Sequence, residues 1–121
     1  MQLKNVKVRC IKQMLPHFED VVKTYSPLQQ AAAKSLSDNV DFESIACNVE
    51  SITVDGITYT TDFVCKGKDE SLAAFECVYR KHLTKPKTVK LLDASQAFWL
   101  GRGATWGIIV EKEETFGKEQ G

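Results

Sequence analysis

Residues 50–61 read Glu-Ser-Ile-Thr-Val-Asp-Gly-Ile-Thr-Tyr-Thr-Thr, and this stretch decides the fold. Asp55-Gly56 lies between two runs in which apolar and polar residues alternate, which is the strongest local signal for a two-residue β-hairpin. A type I′ turn needs a positive φ at both central residues, which Gly adopts freely and Asp tolerates better than most residues. We therefore predict a hairpin over Ile45–Cys65.

Pairing outward from this turn places Val54 opposite Ile57, Ile52 opposite Tyr59 and Glu50 opposite Thr61. It also gives the apolar residues nearest the turn one shared face, which comprises Ile52, Val54, Ile57, Tyr59 and Phe63. The more distant apolar set, Ile45, Cys47 and Val49, is one residue out of phase with Ile52. Such a slip would turn these side chains to the wrong face, so we predict a β-bulge near Glu50–Ser51.

Apolar residues spaced three and four apart predict helices on both sides of this hairpin. One helical piece begins near Pro16 and ends at Tyr25. A second begins at Ser26-Pro27, where Ser26 is a capping residue and Gln29 can reach back to the cap, and it runs to about Ser37. After the hairpin, Asp69 is placed to cap a helix over Glu70–Thr84, which Pro86 ends.

Alternating residues predict strands in the rest of the chain. We expect a first strand over Leu3–Lys12 and another over Thr88–Asp93. Trp106, Ile108 and Val110 alternate within Thr105–Lys112, which predicts a last strand or a second hairpin with Gly101–Ala104 at its tip.

Counting the two pieces before the hairpin as one helix, the element order is β-α-β-β-α-β. This is the order of the ferredoxin-like split βαβ arrangement, in which two helices cover one face of an antiparallel sheet. The predicted class is therefore α+β, with a C-terminal hairpin or strand added. We expect one domain over residues 1–112 and a flexible acidic tail over residues 113–121, whose composition buries little.

Composition narrows the function classes. The chain has 16 basic and 16 acidic residues, so no net field attracts nucleic acid or an anionic membrane. No apolar run approaches the ~20 residues of a membrane span, and the N-terminus lacks a signal-peptide core, so we expect a cytoplasmic protein. Four cysteines lie far apart in sequence, which favours reduced, packed thiols over a metal site. We predict no metal and no cofactor.

The segment Phe98–Trp106 is the first candidate site. Its glycines allow close backbone approach, and Arg102 could bind a carboxylate or phosphate with its planar guanidinium group. Trp99 and Trp106 could stack on a base or anchor a protein partner, but aromatic residues in small domains more often pack the core. Burial of the tryptophans is the interpretation that we favour.

A second candidate is a basic surface, because no acidic residue occurs between Glu76 and Asp93. Its cations are suited to phosphates or to an acidic partner, although a solvated basic surface is the simpler interpretation. Its members are Arg80, Lys81, His82, Lys85, Lys87 and Lys90.

Three hypotheses about function follow. The first is a non-enzymatic protein-interaction module, such as a phage or mobile-element inhibitor or regulator. The second is a nucleic-acid-binding protein that uses the basic surface, and the third is a binder of a nucleotide or metabolite through Arg102 and its aromatic neighbours. No nucleophile and base occur in a recognisable pattern, so an enzyme ranks last. A homodimer formed through an exposed edge strand is a further expectation.

Overall fold

The computed structural model describes residues 10–112. Its architecture is α+β, with two α-helices, a four-stranded sheet and a separate two-stranded ribbon. None of the helices in the described range is long and apolar enough to cross a membrane. In chain order the elements are β1 (Ile11–Gln13), β2 (Val22–Thr24), α1 (Pro27–Ser37), β3 (Phe42–Val54), β4 (Ile57–Gly67), β5 (Leu72–Cys77), a 3-10 turn (Arg80–His82), α2 (Pro86–Gly101) and β6 (Thr105–Ile109).

The main sheet has the strand order β3-β4-β5-β6. The first three strands form an antiparallel meander, whereas β6 is parallel to β5. A parallel pair needs a crossover connection, and α2 supplies it. β1 and β2 pair with each other, and the segment before β2 reaches β3 through a bridge between Phe18 and Ile45.

The predicted hairpin is confirmed. Asp55 has φ +52° and Gly56 has φ +77°, as a type I′ turn requires, and Val54 pairs with Ile57. The register shifts between Glu50 and Thr53, which confirms the predicted bulge. Beyond the bulge Glu50 pairs with Thr60, so the predicted pairing of Glu50 with Thr61 is wrong by one residue.

On both strands of the hairpin, the side chains change from one face of the sheet to the other about halfway along the strand. On β3, Cys47 packs in the cluster with α1, whereas Val49 packs in the cluster with Trp99 of α2. Residues two apart on a regular strand share a face, so the intervening Asn48, with φ +56°, reverses the alternation.

The same reversal occurs on β4. Phe63 packs with α1, whereas Tyr59 packs with α2, so the predicted single face that joined these two residues is wrong. The change falls at Asp62, which lies across from Asn48 in the register set by the pairs Cys47 with Phe63 and Val49 with Thr61.

The two helices lie on opposite faces of the sheet, which corrects the expectation that both cover one face. Alternate residues of β5 show this, because Phe75 packs in the α1 cluster and Ala74 in the α2 cluster. The core on the α1 side is formed by Val22, Ala32, Ala33, Leu36, Ile45, Phe63 and Cys65. The core on the α2 side is formed by Tyr59, Ala74, Val78, Leu91, Leu92, Trp99 and Ala104.

The start of α1 follows the prediction. Ser26 is the N-cap, and its hydroxyl accepts a 3.1 Å hydrogen bond from the backbone N–H of Gln29. The Gln29 amide reaches back one residue further than a capping box requires and accepts the N–H of Tyr25 at 2.9 Å. The preceding piece, predicted as a helix from Pro16 to Tyr25, is wrong, because Val22–Thr24 is strand β2.

The helix predicted over Glu70–Thr84 is also wrong, because its first half is strand β5 and its second half contains the 3-10 turn. A central strand covered on both faces does not alternate between polar and apolar residues, so its apolar spacing can match a helix by coincidence. Leu72 and Phe75, three apart, fit one helical stripe but pack on opposite faces of the sheet.

The strand predicted over Thr88–Asp93 lies within α2, and the predicted second hairpin at Gly101–Ala104 is instead the end of that helix. The buried stripe of α2 contains polar residues, which hid its period. Its buried residues are Thr88, Leu91, Leu92, Ser95 and Trp99. A strand near Thr105 is confirmed, although its neighbour is β5. Most of the strand predicted over Leu3–Lys12, and the whole tail over residues 113–121, lie outside the described residues.

Candidate functional site: a cationic cleft

A cleft of about 450 Å³ lies between the tip of the β3–β4 hairpin and the beginning of α2. A volume of this size falls within the range of small-ligand and peptide side-chain pockets. The hairpin side contributes Val54, Asp55, Ile57 and Tyr59, and the helix side contributes His82, Lys85, Lys87, Thr88, Lys90 and Leu91. We call this site the cationic cleft.

Two local features of the sequence place these groups together. The type I′ turn at Asp55-Gly56 ends the hairpin tightly, so the Asp55 carboxylate projects from its tip. On the other side, Pro86 is the first residue of α2, a position where its fixed φ fits and its missing N–H costs nothing. Lys85 is therefore the N-cap and Lys87 the second helical residue.

The charges at the start of α2 are opposite to those that stabilise a helix. The N-terminus of a helix carries a partial positive charge, and acidic side chains are favoured there. The first turn of α2 has no acidic residue, and no side chain caps it, whereas Lys85 and Lys87 add positive charge. Each unfavourable cation costs roughly 0.3–1 kcal/mol at an exposed helix terminus.

The pKa of His82 is also affected by these positive charges. Partial removal from water lowers the pKa of His82, and the ammonium groups of Lys85 and Lys81 lower it further. The imidazole therefore stays neutral at pH values where a free histidine would begin to take up a proton. The acidic residue that lines the cleft is Asp55, whose carboxylate lies 2.7 Å from the Lys90 ammonium nitrogen.

The cationic cleft also has an apolar lining. Val54 and Ile57 from the hairpin and Leu91 from α2 form it, and Ile57 is 41% exposed. Tyr59 lies at the inner end of the cleft and is 2% exposed, so little of its ring is accessible. The cleft therefore offers hydrocarbon surface next to ammonium groups.

The structure brings together four of the six members of the predicted basic surface. His82, Lys85, Lys87 and Lys90 line the cleft, whereas Arg80 and Lys81 do not. The carboxylate of Glu111 accepts the backbone N–H of Arg80 at 2.9 Å. This bond lowers the pKa of Glu111, and the charges of Arg80 and Lys81 add to the effect.

The tryptophans of the other candidate segment are held in the protein interior. Trp99 is 7% exposed, and its indole Nε1 donates a 2.9 Å hydrogen bond to Thr61 Oγ1. Trp106 is half-buried, and its Nε1 donates to Ser95 Oγ at 3.3 Å. Their placement agrees with the interpretation that aromatic residues in this segment pack the core.

Arg102 lies at the end of α2, and its guanidinium carbon is 4.4 Å from the centre of the Phe98 ring. Such cation–π stacking occupies one face of the guanidinium plane, whereas a carboxylate or phosphate would be bound by its N–H edge. Lys87 and Arg102 stand near the two ends of one helix, about 22 Å apart at 1.5 Å per residue. The two candidate surfaces are therefore separate sites.

A group of buried polar residues that the sequence did not indicate lies between the sheet and α2. Glu76 is fully buried, and its Oε2 accepts a 2.5 Å hydrogen bond from Ser95 Oγ. Burial raises the pKa of Glu76 to about 7 against the opposing hydrogen bond from Ser95, and the charge of Asp62 adds to the rise. Burial and the neighbouring Glu76 also raise the pKa of Tyr59.

A second set of buried polar residues joins α1 to the hairpin at Asn48 and Asp62, where the side chains of the two strands change faces. The amide nitrogen of Gln29 donates to Asn48 Oδ1 at 2.8 Å and to Asp62 Oδ1 at 3.1 Å. Asp62 Oδ2 accepts the backbone N–H of Cys77 at 2.7 Å. These bonds fix the two strands where their side chains change faces, which is a structural role.

The described residues contain no cluster of three or more His, Cys, Asp or Glu side chains that could hold a metal ion. No protein-family model matches the chain, and no curated protein matches it in sequence.

Proposed function

We propose that the protein is a non-enzymatic interaction module whose cationic cleft binds an acidic segment of a protein partner. The observation that carries this proposal is the placement of Lys85 and Lys87 in the uncapped first turn of α2, where they reduce helix stability. Charges that reduce stability and have no ion-pair partner in the described part of the chain are typical of a binding site. An anionic ligand would make both the lysines and the helix dipole favourable.

The cleft's composition favours a peptide over a nucleic acid. Its apolar lining of Val54, Ile57 and Leu91 suits side chains that alternate with acidic residues along a peptide. A nucleic acid would present phosphates and bases, and single-stranded recognition relies on exposed aromatic rings. The aromatic residue in the cleft, Tyr59, is 2% exposed, and the chain carries no net charge to attract a polyanion from a distance.

The proposal is tested with a fluorescein-labelled peptide, Glu-Glu-Leu-Glu-Glu-Leu, whose binding is followed by fluorescence anisotropy at low salt. The double variant Lys85→Gln/Lys87→Gln should bind at least tenfold more weakly, because both ammonium groups line the cleft. The matched control is Lys34→Gln/Lys68→Gln, which removes the same charge from exposed positions outside the cleft. The control should bind as the wild type does.

Two further measurements sharpen this test. Removing the lysines should make the protein slightly more stable, by about 0.3–1 kcal/mol for each, because α2 loses cations at its positive end. A gain in stability together with a loss of binding separates a binding role from damage to the fold. A labelled single-stranded hexanucleotide provides the competing ligand, and tighter binding of the oligonucleotide than of the peptide would replace this proposal with nucleic-acid binding.

A further inference from the structure

The carboxylate of Asp55 already occupies one place in the cationic cleft where an anion can bind. Its carboxylate oxygen Oδ2 lies 2.7 Å from Lys90 Nζ, so the ion pair joins the hairpin tip to α2. The other lysines that line the cleft, Lys85 and Lys87, have no salt bridge to a described acidic residue. Among the described residues, one lysine of the cleft is thus engaged in an ion pair and two are not.

This internal ion pair is easily opened. The side chains of Lys90 and Asp55 are 59% and 71% exposed, so water already solvates much of both groups. Exposed ion pairs contribute little to stability, since solvent screening and side-chain entropy offset most of the Coulomb attraction. A carboxylate from outside can therefore compete with Asp55 for the Lys90 ammonium group.

We infer that Asp55 is an internal competitor in the cationic cleft, and that an acidic ligand displaces its carboxylate from Lys90 when it binds. The inference rests on the proposed function and specifies the ligand further: one of its carboxylates takes the position of the Asp55 carboxylate. The Asp55 carboxylate then weakens the binding of an acidic ligand that contacts Lys90, because the ligand must replace the contact that Asp55 makes.

The sequence of the turn allows a clean test. Asn is favoured over Asp at the first position of a type I′ turn that is followed by Gly, so Asp55→Asn keeps the hairpin. The variant removes the charge that competes for Lys90 and leaves a side chain of the same shape. Asp38→Asn is the matched control, because it makes the same change in net charge at an exposed residue after α1, outside the cleft.

The measurement is the affinity for the labelled peptide Glu-Glu-Leu-Glu-Glu-Leu at low salt. Asp55→Asn should bind about two- to fivefold more tightly than the wild type, which is the range expected from the loss of one exposed ion pair. The gain should disappear when Lys90→Gln is added, because Lys90 is then no longer available to the ligand. In the wild type, the backbone amide resonance of Gly56 should shift as the peptide binds.

The outcomes separate the inference from the function on which it rests. Peptide binding by the wild type with an equal or weaker affinity for Asp55→Asn would overturn the role of Asp55 and leave the cationic cleft as the binding site. A gain in affinity that persists in the Lys90→Gln background would also overturn it, since the effect would then not act through Lys90. Absence of peptide binding by every variant would remove the proposed function itself.

Discussion

Ser95 donates a 2.5 Å hydrogen bond to Glu76 across the interface between α2 and the sheet, and both residues are fully buried. A carboxylate in this position has lost its contact with water, and neither Glu76 Oε1 nor the hydroxyl of Tyr59 has a hydrogen-bond partner among the described residues. Because ionising Glu76 requires charge to be placed in the protein interior, away from water, the stability of the fold is linked to pH through this residue.

We predict that Glu76 makes the protein less stable as the pH rises from about 4.5 to about 7. The folded state holds the proton more tightly than the unfolded state, because the pKa of Glu76 rises from 4.5 to about 7 on burial. Its contribution is therefore complete below the unfolded pKa and is lost as the pH passes through the folded pKa. The change is on the order of 3 kcal/mol.

Urea denaturation at pH 5 and pH 8 measures this effect. Glu76→Gln should remove most of the pH dependence, since the Gln carbonyl can still accept from Ser95 while its amide can donate to Tyr59. Glu50→Gln, on the exposed side of β3, is the control and should retain the wild-type dependence. Parallel pH profiles for the wild type and Glu76→Gln would show that Glu76 is not the linked group.

We predict opposite effects for the same substitution at two glycines. Gly56→Ala should destabilise the protein by roughly 1–2 kcal/mol, because φ at this position is +77° and a Cβ in the left-handed region is strained even in open space. Gly101→Ala also meets no atom within 4 Å, but it lies at the end of α2 without a positive φ. It should be neutral or stabilise by up to about 1 kcal/mol.

Thermal unfolding of the two variants side by side tests this prediction. The substitutions add the same methyl group to uncrowded positions, so the difference between them isolates the backbone conformation of the hairpin turn. Equal melting temperatures for the two variants would contradict a type I′ turn at Asp55-Gly56.

We predict that Trp99 contributes to stability and Arg102 contributes little. Trp99→Ala should cost about 3–5 kcal/mol, because it leaves a cavity against Ala74 and Ala104 and removes the hydrogen bond to Thr61. Arg102→Ala should cost less than about 1 kcal/mol, the value of an exposed cation–π contact.

Guanidinium denaturation of both variants provides the measurement, and peptide binding provides a second readout. Arg102→Ala should bind the acidic peptide as the wild type does, because Arg102 lies at the far end of α2 from the cationic cleft. A large loss of binding in Arg102→Ala would place the recognition surface at the C-terminal end of the helix instead.

The parts of the fold that the sequence predicted are those fixed by local chemistry. Asp55-Gly56 needs no distant partner to favour a type I′ turn. Ser26 caps α1 through a bond to Gln29, three residues later, and Pro27 begins the helix. The bulge was also predictable, because the apolar phase on β3 changes at Glu50. In each case the side chain and the backbone it controls are close in sequence.

The elements that were mispredicted depend on contacts between distant parts of the chain. β5 is covered by helices on both faces, so its apolar residues do not alternate, and their spacing imitated a helix. In α2 a helix was mistaken for a strand. Thr88 and Ser95 occupy buried positions on the face that packs on the sheet, so the apolar residues alone do not show the helical period. Ser95 is buried there because Glu76 and Trp106, from two strands, bond to its hydroxyl.

The candidate site was predictable in part for the same reason. An acid-free stretch from residues 77 to 92 indicates a basic surface, and Lys85, Lys87 and Lys90 follow from it directly. The other wall of the cleft comes from the hairpin, more than twenty residues earlier in the chain. Only the three-dimensional arrangement shows that Asp55 faces Lys90, and that Arg80 and Lys81 do not line the cleft.

α2 belongs to the crossover that joins β5 to β6, and residues 102–104 connect its end to β6. Leu91, Leu92 and Trp99 pack the helix against the sheet, which limits how far it can slide or tilt against the hairpin. A ligand that binds in the cationic cleft therefore finds its two walls already at a fixed spacing. The conformational entropy lost on binding is then mainly that of the ligand. Making the ligand more rigid, for example by cyclisation, should therefore raise the affinity more than making the protein more rigid.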